Sequence, residues 1–465
     1  MTDDLCLMTA ADLLGKFRSK AVSPVEATKA ALARAKATEP ALNAFVLLCE
    51  EGALAQARES EARWMKGEPC GLVDGLPTTV KDLFQLEGHP WRRGSLTTPE
   101  DPATEDSPAV ASLRRHGAVF IGKTTTSEFG CLGVTHTRIA GVTRNPWDPS
   151  KTPGGSSGGA AASVAVGAGT LAIGSDGGGS IRMPAAFTGI FGIKPTAGRV
   201  PYFPPSVVGS ASCIGPLTRT VGDGALMLRA MADPDARDWI GATTPAPDYV
   251  AEMEGGVKGL RICYSPTMGY AKVDEEVAAA TRRSAEEFAA MGAVVEERDS
   301  LWDDPREAYE NVFRIAQAKA WRTFTEEQRT LGGPEFVEMA LEGMELSLFD
   351  YTDAEAVRAN FGSQVSVLLD EFDLLLTPQL CLTAFEAGLE YPGGRGMRRW
   401  LDWATFTYPF NFSTHPAATM PNGFDSNGLP TAFQLVAQRG RDALAIRACR
   451  AYGEAHPIPL PPLPV

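Results

Sequence analysis

Residues 152–198 read TPGGSSGGAAASVAVGAGTLAIGSDGGGSIRMPAAFTGIFGIKPTAG, and they hold two glycine-flanked serines, Ser156 and Ser180. Glycine beside a serine lets backbone N–H groups approach a reacting atom and permits positive φ without steric penalty. Such a loop can present a nucleophile together with donors for a developing oxyanion. A flexible Gly/Ser tether has the same local composition. The residues that follow the first cluster, AAASVAVGAGTLAIG (160–174), are small and apolar throughout. They predict a tightly packed buried helix running into a short strand, which excludes a solvated tether. A phosphate loop is excluded as well, because neither glycine cluster is followed by Lys-Ser/Thr.

The rest of the chain reads as an α/β protein in a single body. Upstream, residues 1–66 predict an N-terminal helical layer. Thr9 with Asp12 marks one capped start; Ser23 with Glu26, and Pro24 at the first helical position, marks a second. Pro40 is expected to end that second helix. SPAVASLRRHGAVFIG reads as a helix stopped at Gly117 and then a strand, and the helix-to-strand rhythm of a layered sheet resumes from residue 259. Between them, the segment after Pro195 is expected to be an irregular proline-rich crossing that leads into a helix at 222–232, with Arg219 and Asp223 paired one turn apart. Residues 300–370 predict polar helices and 372–378 a strand. AATMPNGFDSNGLPTAFQLVA predicts a hairpin with an Asn-Gly turn before a C-terminal helix. The glycine-rich basic loop PGGRGMRRW (392–400) has no neighbours that the sequence identifies.

Composition narrows the function. With 44% hydrophobic and 22% charged residues, the 465-residue chain has ample core material. No apolar run approaches the roughly 20 residues of a membrane span. A net charge of −14 opposes a nucleic-acid surface, which needs clustered Lys and Arg. The eight cysteines are scattered without C-x-x-C spacing or a histidine cluster, and read as small core residues in a reducing compartment. The acidic start MTDDLCLMTAADLL is unlike a secretory peptide, so a cytoplasmic location is expected.

The segment GLPTTVKDLF places Lys81 among apolar and β-branched neighbours. Lysine is rarely buried without a partner. Taken alone, the segment favours an edge strand with Lys81 in solvent, the alternative being a lysine kept inside for chemistry. The serines change that balance, because serine is a weak nucleophile until a base takes its proton. None of the five histidines lies in a nucleophile-partner motif, and Gly-x-Ser-x-Gly is absent around both serines. A desolvated lysine can serve as the base, since burial disfavours its charged form.

GLPTTVKD (75–82), PGGSSGG (153–159) and GSDGGGSIRMPAAFTGIFGIKPT (174–196) closely resemble the amidase signature family. TRNPWDPSKTP before the first serine and GPLTRTVGD after the second extend the resemblance, which is strong over residues 70–225. It implies one large domain, residues 1–465, with a central mixed β-sheet surrounded by helices. Within that domain, 70–225 would carry the catalytic core and 300–410 a variable pocket region. It also implies a Ser-cisSer-Lys triad in which neutral Lys81 takes a proton from Ser156, Ser156 takes one from Ser180, and Ser180 attacks an amide carbonyl. The family's peptide bond before the bridging serine is cis, which maps to Gly155–Ser156. The N–H groups of Gly177, Gly178, Gly179 and Ser180 map to the oxyanion hole, and Gly130 and Cys131, with Ser156, to substrate contacts. Ser157 either bonds within the triad or caps the following helix. Asp176 and Arg182 read as a structural ion pair, with an Arg182 contact to a substrate carboxylate as the alternative.

The activity implied is hydrolysis of carboxylic amides, linear carbon–nitrogen bonds other than peptide bonds, with esters as further substrates and with no cofactor or metal. The glutaminase component of a tRNA-dependent amidotransferase is the competing reading. The expected partner is a small-molecule amide, with no nucleic acid or membrane, and a homodimer is the assembly kept in view.

Overall fold

The computed structural model describes residues 2–463 except Ile458, and it builds the protein around one eleven-stranded mixed sheet. The strands in chain order are β1 (Phe45–Leu48), β2 (Pro77–Lys81), β3 (Val119–Thr124), β4 (His136–Thr137), β5 (Gly141–Val142), β6 (Leu171–Asp176), β7 (Phe191–Lys194), β8 (Cys213–Thr218), β9 (Arg261–Tyr264), β10 (Val294–Glu297), β11 (Leu374–Pro378), β12 (Ala417–Phe424) and β13 (Pro430–Ala437). Across the sheet the order is β1-β3-β2-β6-β8-β7-β12-β13-β11-β9-β10, while β4 and β5 form a separate two-stranded ribbon. Helices flank the sheet, giving the single α/β domain with a mixed sheet that the resemblance implies.

The central strands explain where the site forms. Strand β2 pairs in parallel with both β3 and β6, with Thr78, Thr79 and Val80 opposite Leu171, Ala172 and Ile173. Lys81 and the pair Ser175 and Asp176 therefore lie at the carboxyl ends of adjacent parallel strands, where open α/β sheets leave a crevice for ligands. All of β2 and β6 is buried. The helix Gly158–Ala165 that runs into β6 is buried along its whole length. Its small residues permit that depth: a Cβ at Gly158 would run into the Thr135 side chain, and one at Gly159 would meet the Ala44 carbonyl oxygen at 2.5 Å. Ala160, Ala161, Val164 and Ala165 pack with Ala172, Ile181, Ala185 and Leu217.

Both N-terminal capping boxes form, at Thr9/Asp12 and at Ser23/Glu26. Three expectations are corrected. The helix that begins at Pro24 passes through Pro40 to Leu42 and stops at Asn43, whose φ is +50°. A proline in the last turn removes one donor but leaves the preceding turns intact, and the Glu39 carboxylate accepts the N–H groups of Ala44 and Phe45 beyond the end. The stretch after Pro195 contains a central strand, β8, which pairs antiparallel with β6 from Leu171↔Thr218 to Asp176↔Cys213. Arg219 and Asp223 do not form an ion pair among the described residues. The Arg219 guanidinium donates to the carbonyls of Met8 and Val164, whereas Asp223 accepts the Ala10 N–H. Of the eight cysteines, all unbonded to one another, seven are buried and Cys70 is exposed.

Candidate active site

Lys81 ends β2 completely enclosed, at 0% exposure. Its Nζ donates to three serine hydroxyls: Ser156 Oγ at 2.7 Å, Ser157 Oγ at 2.8 Å and Ser175 Oγ at 2.9 Å. Burial drives its pKa well below the usual lysine value, and the charge of Asp176 opposes that shift only in part. No carboxylate stands in the first ring of partners, so the hydroxyls solvate the amine without holding its proton. Ser157 Oγ donates to the Ser175 carbonyl at 3.2 Å. Its own proton is thereby engaged, and it faces Lys81 as an acceptor. Ser157 stands at the start of helix Gly158–Ala165 without making a side-chain cap bond, so of its two readings the bond to Lys81 is the one formed.

The peptide bond Gly155–Ser156 is cis. A Cβ at Gly155 would collide with the Val134 carbonyl, which explains glycine there. The Thr135 hydroxyl donates to the Gly154 carbonyl at 2.9 Å and accepts the Gly158 N–H at 3.0 Å, clamping the loop on both sides of the serines. Ser180 is 6% exposed, and its carbonyl accepts the Ser157 N–H at 3.2 Å, which joins the two serine loops. Ser180 Oγ makes no hydrogen bond among the described residues, which leaves the nucleophile candidate free at rest.

Asp176 and Arg182 form a fully buried pair, Nε to Oδ2 at 2.9 Å. All five guanidinium donors are used. Nε and Nη2 reach the two Asp176 oxygens, Nη2 also reaches Asn411 Oδ1, and Nη1 reaches the Thr407 carbonyl and Gln434 Oε1. Arg182 consequently has no donor left for a substrate carboxylate, and the structural reading of this pair stands. Burial pushes the Asp176 carboxyl up, but Arg182, Asn411 and Lys194 together outweigh it and hold it at about 2. Asp176 Oδ1 also accepts the Gly179 N–H at 2.7 Å. This corrects the four-donor expectation for the oxyanion hole: the Gly179 N–H is already engaged, while those of Gly177, Gly178 and Ser180 have no acceptor within the described residues.

Gly130 (φ +74°) lies against Ser156: a Cβ there would stand 3.3 Å from Ser156 Oγ and 3.0 Å from Leu83 Cδ1. Leu83 thus packs against the face of Gly130 where a side chain would stand. Cys131 is buried at 1%, and burial raises its thiol pKa well above the usual value. Val208, Ser212, Tyr309 and Trp400 pack against the Gly177–Gly178 stretch. A Cβ on Gly177 would touch Val208 at 3.4 Å, and one on Gly178 would reach the Trp400 ring at 2.7 Å. Trp400 belongs to the 392–400 loop, whose Arg395 pairs with Asp274 and whose Arg399 pairs with Glu342. Sequence reasoning did not single out Ser175, Thr135, Tyr309, Thr407, Asn411 or Gln434. Only Ser175 had a local signal, a polar residue two before the glycine run on a buried strand. Among the described residues, no group of three or more His, Cys, Asp or Glu is placed to hold a metal ion.

The family model described as Amidase matches residues 26–446, and the chain belongs to the amidase signature family. An acylamidase of Rhodococcus erythropolis is 35% identical over 97% of this chain and 96% of the relative. The A-type subunit of the glutamyl-tRNA(Gln) amidotransferase of Myxococcus xanthus (strain DK1622) is 34% identical over 97% of each. The crystal structure of a bacterial aryl acylamidase of the amidase signature enzymes superposes with a TM-score of 0.89 at 29% identity, covering 97% of this chain and 96% of that one.

Proposed function

We propose that the chain is an amidohydrolase acting on linear carbon–nitrogen bonds other than peptide bonds, with Ser180 as nucleophile, Ser156 as the bridging acid/base and neutral Lys81 as the terminal base. The observation that carries this reading is Lys81 itself: fully buried, with three serine hydroxyls and no carboxylate around Nζ. Burial favours the neutral amine of a lysine so placed, and the neutral amine can accept a proton. On approach of the amide, Ser180 Oγ bonds to the carbonyl carbon while its proton passes through Ser156 toward Lys81. The oxyanion is met by the free N–H groups of Gly177, Gly178 and Ser180. Collapse expels the amine, which takes its proton from Ser156, because an amide anion is a very poor leaving group. Water then attacks the Ser180 ester by the same relay and releases the acid. No step calls for a metal or cofactor. Esters, with a better leaving group, are cleaved by the same residues.

The 35% identity to the Rhodococcus erythropolis acylamidase over 97% of this chain supports a stand-alone acylamidase, and the Val208 and Trp400 side chains packed beside the glycine loop are compatible with a hydrocarbon or aryl acyl group. The glutaminase component of an amidotransferase is the second reading, supported by the 34% identity to the A-type amidotransferase relative. Such a site must bind a free amino acid, and Arg182, the charged group nearest the nucleophile in sequence, has every donor occupied. The eight cysteines, none of them in a disulfide, and the net charge of −14 favour a cytoplasmic enzyme.

A serine-directed phosphonate tests the assignment. It is expected to label the wild-type chain at Ser180 and to leave Ser180→Ala unlabelled. Labelling of Ser180→Ala at the wild-type rate would show that the nucleophile lies elsewhere.

A further inference from the structure

The nucleophile loop holds three consecutive glycines, and the stretch has little intrinsic reason to keep any one peptide orientation. Glycine is nevertheless required at its centre. A Cβ at Gly178 would collide with the Tyr309 hydroxyl and would come within 2.7 Å of Trp400. The loop therefore keeps the freedom to rotate the Gly177–Gly178 peptide plane, and a rotation of that plane would turn the Gly178 N–H away from the reacting carbonyl. What opposes this comes from outside the loop. The Tyr309 hydroxyl, on the helix Arg306–Arg322, donates to the Gly177 carbonyl at 2.8 Å. In a planar trans peptide the C=O of one residue and the N–H of the next point in opposite directions. Holding the Gly177 carbonyl against Tyr309 thus aims the Gly178 N–H to the opposite side.

The next peptide plane is fixed at both ends. The Thr407 hydroxyl donates to the Gly178 carbonyl at 2.5 Å, and the Gly179 N–H donates to Asp176. The Gly177–Gly178 plane, by contrast, has one anchor among the described residues, the bond from Tyr309, and this anchor comes from a distant helix, whereas the Gly179 carbonyl that follows accepts the Met183 N–H of the adjacent helix at 2.7 Å. The Tyr309 ring is itself held firmly, stacked against Phe313 at 5.7 Å and Tyr408 at 5.1 Å between centroids, with Phe412 edge-on at 5.9 Å. Burial keeps its phenol protonated and hence a donor.

We propose that Tyr309 is a positioning residue for the oxyanion hole: its hydroxyl fixes the Gly177–Gly178 peptide so that the Gly178 N–H stays available to the tetrahedral intermediate. The inference rests on the reading of Ser180 as the nucleophile. A hydroxyl from a segment far from the glycine motif would then tune the rate of acylation without touching substrate.

The test is Tyr309→Phe, which keeps the ring stack and removes only the hydroxyl, beside Tyr408→Phe as a matched control. Tyr408 lies in the same stack, and its hydroxyl donates to Asp304 at 2.7 Å, away from the loop. For an aryl amide, Tyr309→Phe is expected to lower kcat by about 10- to 100-fold, in the range seen on losing one oxyanion donor or somewhat below it. KM is expected to stay within about twofold, since the bond acts on the transition state. Affinity for a trifluoromethyl ketone, which mimics the tetrahedral adduct, should fall by the same factor as kcat/KM. The acid limb of the pH profile should not move, and Tyr408→Phe should retain kcat within about twofold. Three outcomes overturn the inference: kcat and ketone affinity unchanged in Tyr309→Phe, a rise in KM alone, or an equal kcat loss in Tyr408→Phe. If Ser180→Ala remains active, the nucleophile assignment has failed instead, and if wild type is inert to the aryl amide, the stand-alone acylamidase reading has failed, so these failures are distinct from that of the inference.

Discussion

A buried lysine lowers its energy either by shedding its proton or by gathering oxygen acceptors, and Lys81 has been given hydroxyls in place of carboxylates. The ammonium form has three donors for Ser156, Ser157 and Ser175, whereas the neutral amine has two donors and one lone pair. Ser157 spends its proton on the Ser175 carbonyl, so a proton arriving at the lone pair must come from Ser156 or Ser175. Because the pKa of Lys81 lies well below the usual lysine value, activity should be full above that pKa and fall as pH drops through it. Lys81→Ala is expected to lower kcat by about 10²- to 10⁴-fold and to remove this acid limb. A surviving limb at the wild-type position would assign the base to another group. Ser175→Ala deletes an acceptor that stabilises the ammonium more than the amine. Its acid limb should therefore move to lower pH, and a shift to higher pH would show that Ser175 is the donor to the lone pair. Ser156 and Ser180 are legible in the sequence from their flanking glycines, whereas the Lys81 segment taken alone favours a solvent position on an edge strand, which its full burial between β3 and β6 corrects; the serines and the family motif single Lys81 out. Tyr309, Thr407, Asn411 and Gln434 are not legible, since each reaches the segment 176–182 from more than 120 residues away.

At the scale of elements, the sequence marks helices by their caps and most strands by their flanking turns, but it hides β8 in the middle of the sheet. Strand β8 contains Gly215 and Pro216, residues that weaken a strand reading because one lacks a side chain and the other an N–H donor. The structure accepts both. Pro216 lies opposite Ile173 of β6, where the pairing with β7 has already ended at Leu217, and a Cβ at Gly215 would collide with the Ile193 carbonyl. Strands β6 and β8 then meet beside Asp176, whose pairing with Arg182 joins the end of β6 to the helix Arg182–Thr188 and, through Asn411 and Gln434, to the helix Tyr408–Phe412 and strand β13. Asp176→Asn leaves a buried guanidinium uncompensated and should cost about 3–5 kcal/mol in denaturant unfolding. The pH dependence follows from the depressed pKa. With a folded value of about 2 and an unfolded value of about 3.9, the stabilisation from Asp176 is present above pH ~4 and lost as pH falls through about 2. The variant should lack that part of the acid loss. An unchanged acid profile would mean that other carboxylates govern it.

The whole molecule joins two stretches of sheet that the sequence presents as unrelated. The order β6-β8-β7-β12 brings residues 171–176 and 191–218 beside 417–424, so that the C-terminal hairpin becomes part of the sheet that carries the Ser180 segment. Local patterning predicts the hairpin but not its place, because the pairing of β7 with β12 spans more than 220 residues of chain. The same scale separates the two functional readings. The glutaminase of an amidotransferase must hand ammonia to a partner, so turnover by the isolated chain would waste glutamine. A stand-alone hydrolase carries every group it needs in one body. The net charge of −14 also disfavours direct tRNA contact by this chain, since binding to phosphates is driven by Lys and Arg clusters. The purified chain is therefore expected to turn over aryl or alkyl amides without tRNA, ATP or metal, with a rate unchanged by EDTA and little affected by adding tRNA. The measurement is amine release across a panel of primary, aryl and alkyl amides and esters, with glutamine alongside. A chain inert to the panel that cleaves glutamine once amidotransferase partner proteins are added would assign it to the glutaminase class, with the Lys81, Ser156 and Ser180 chemistry intact and the Val208 and Trp400 side chains serving the fold instead of the substrate.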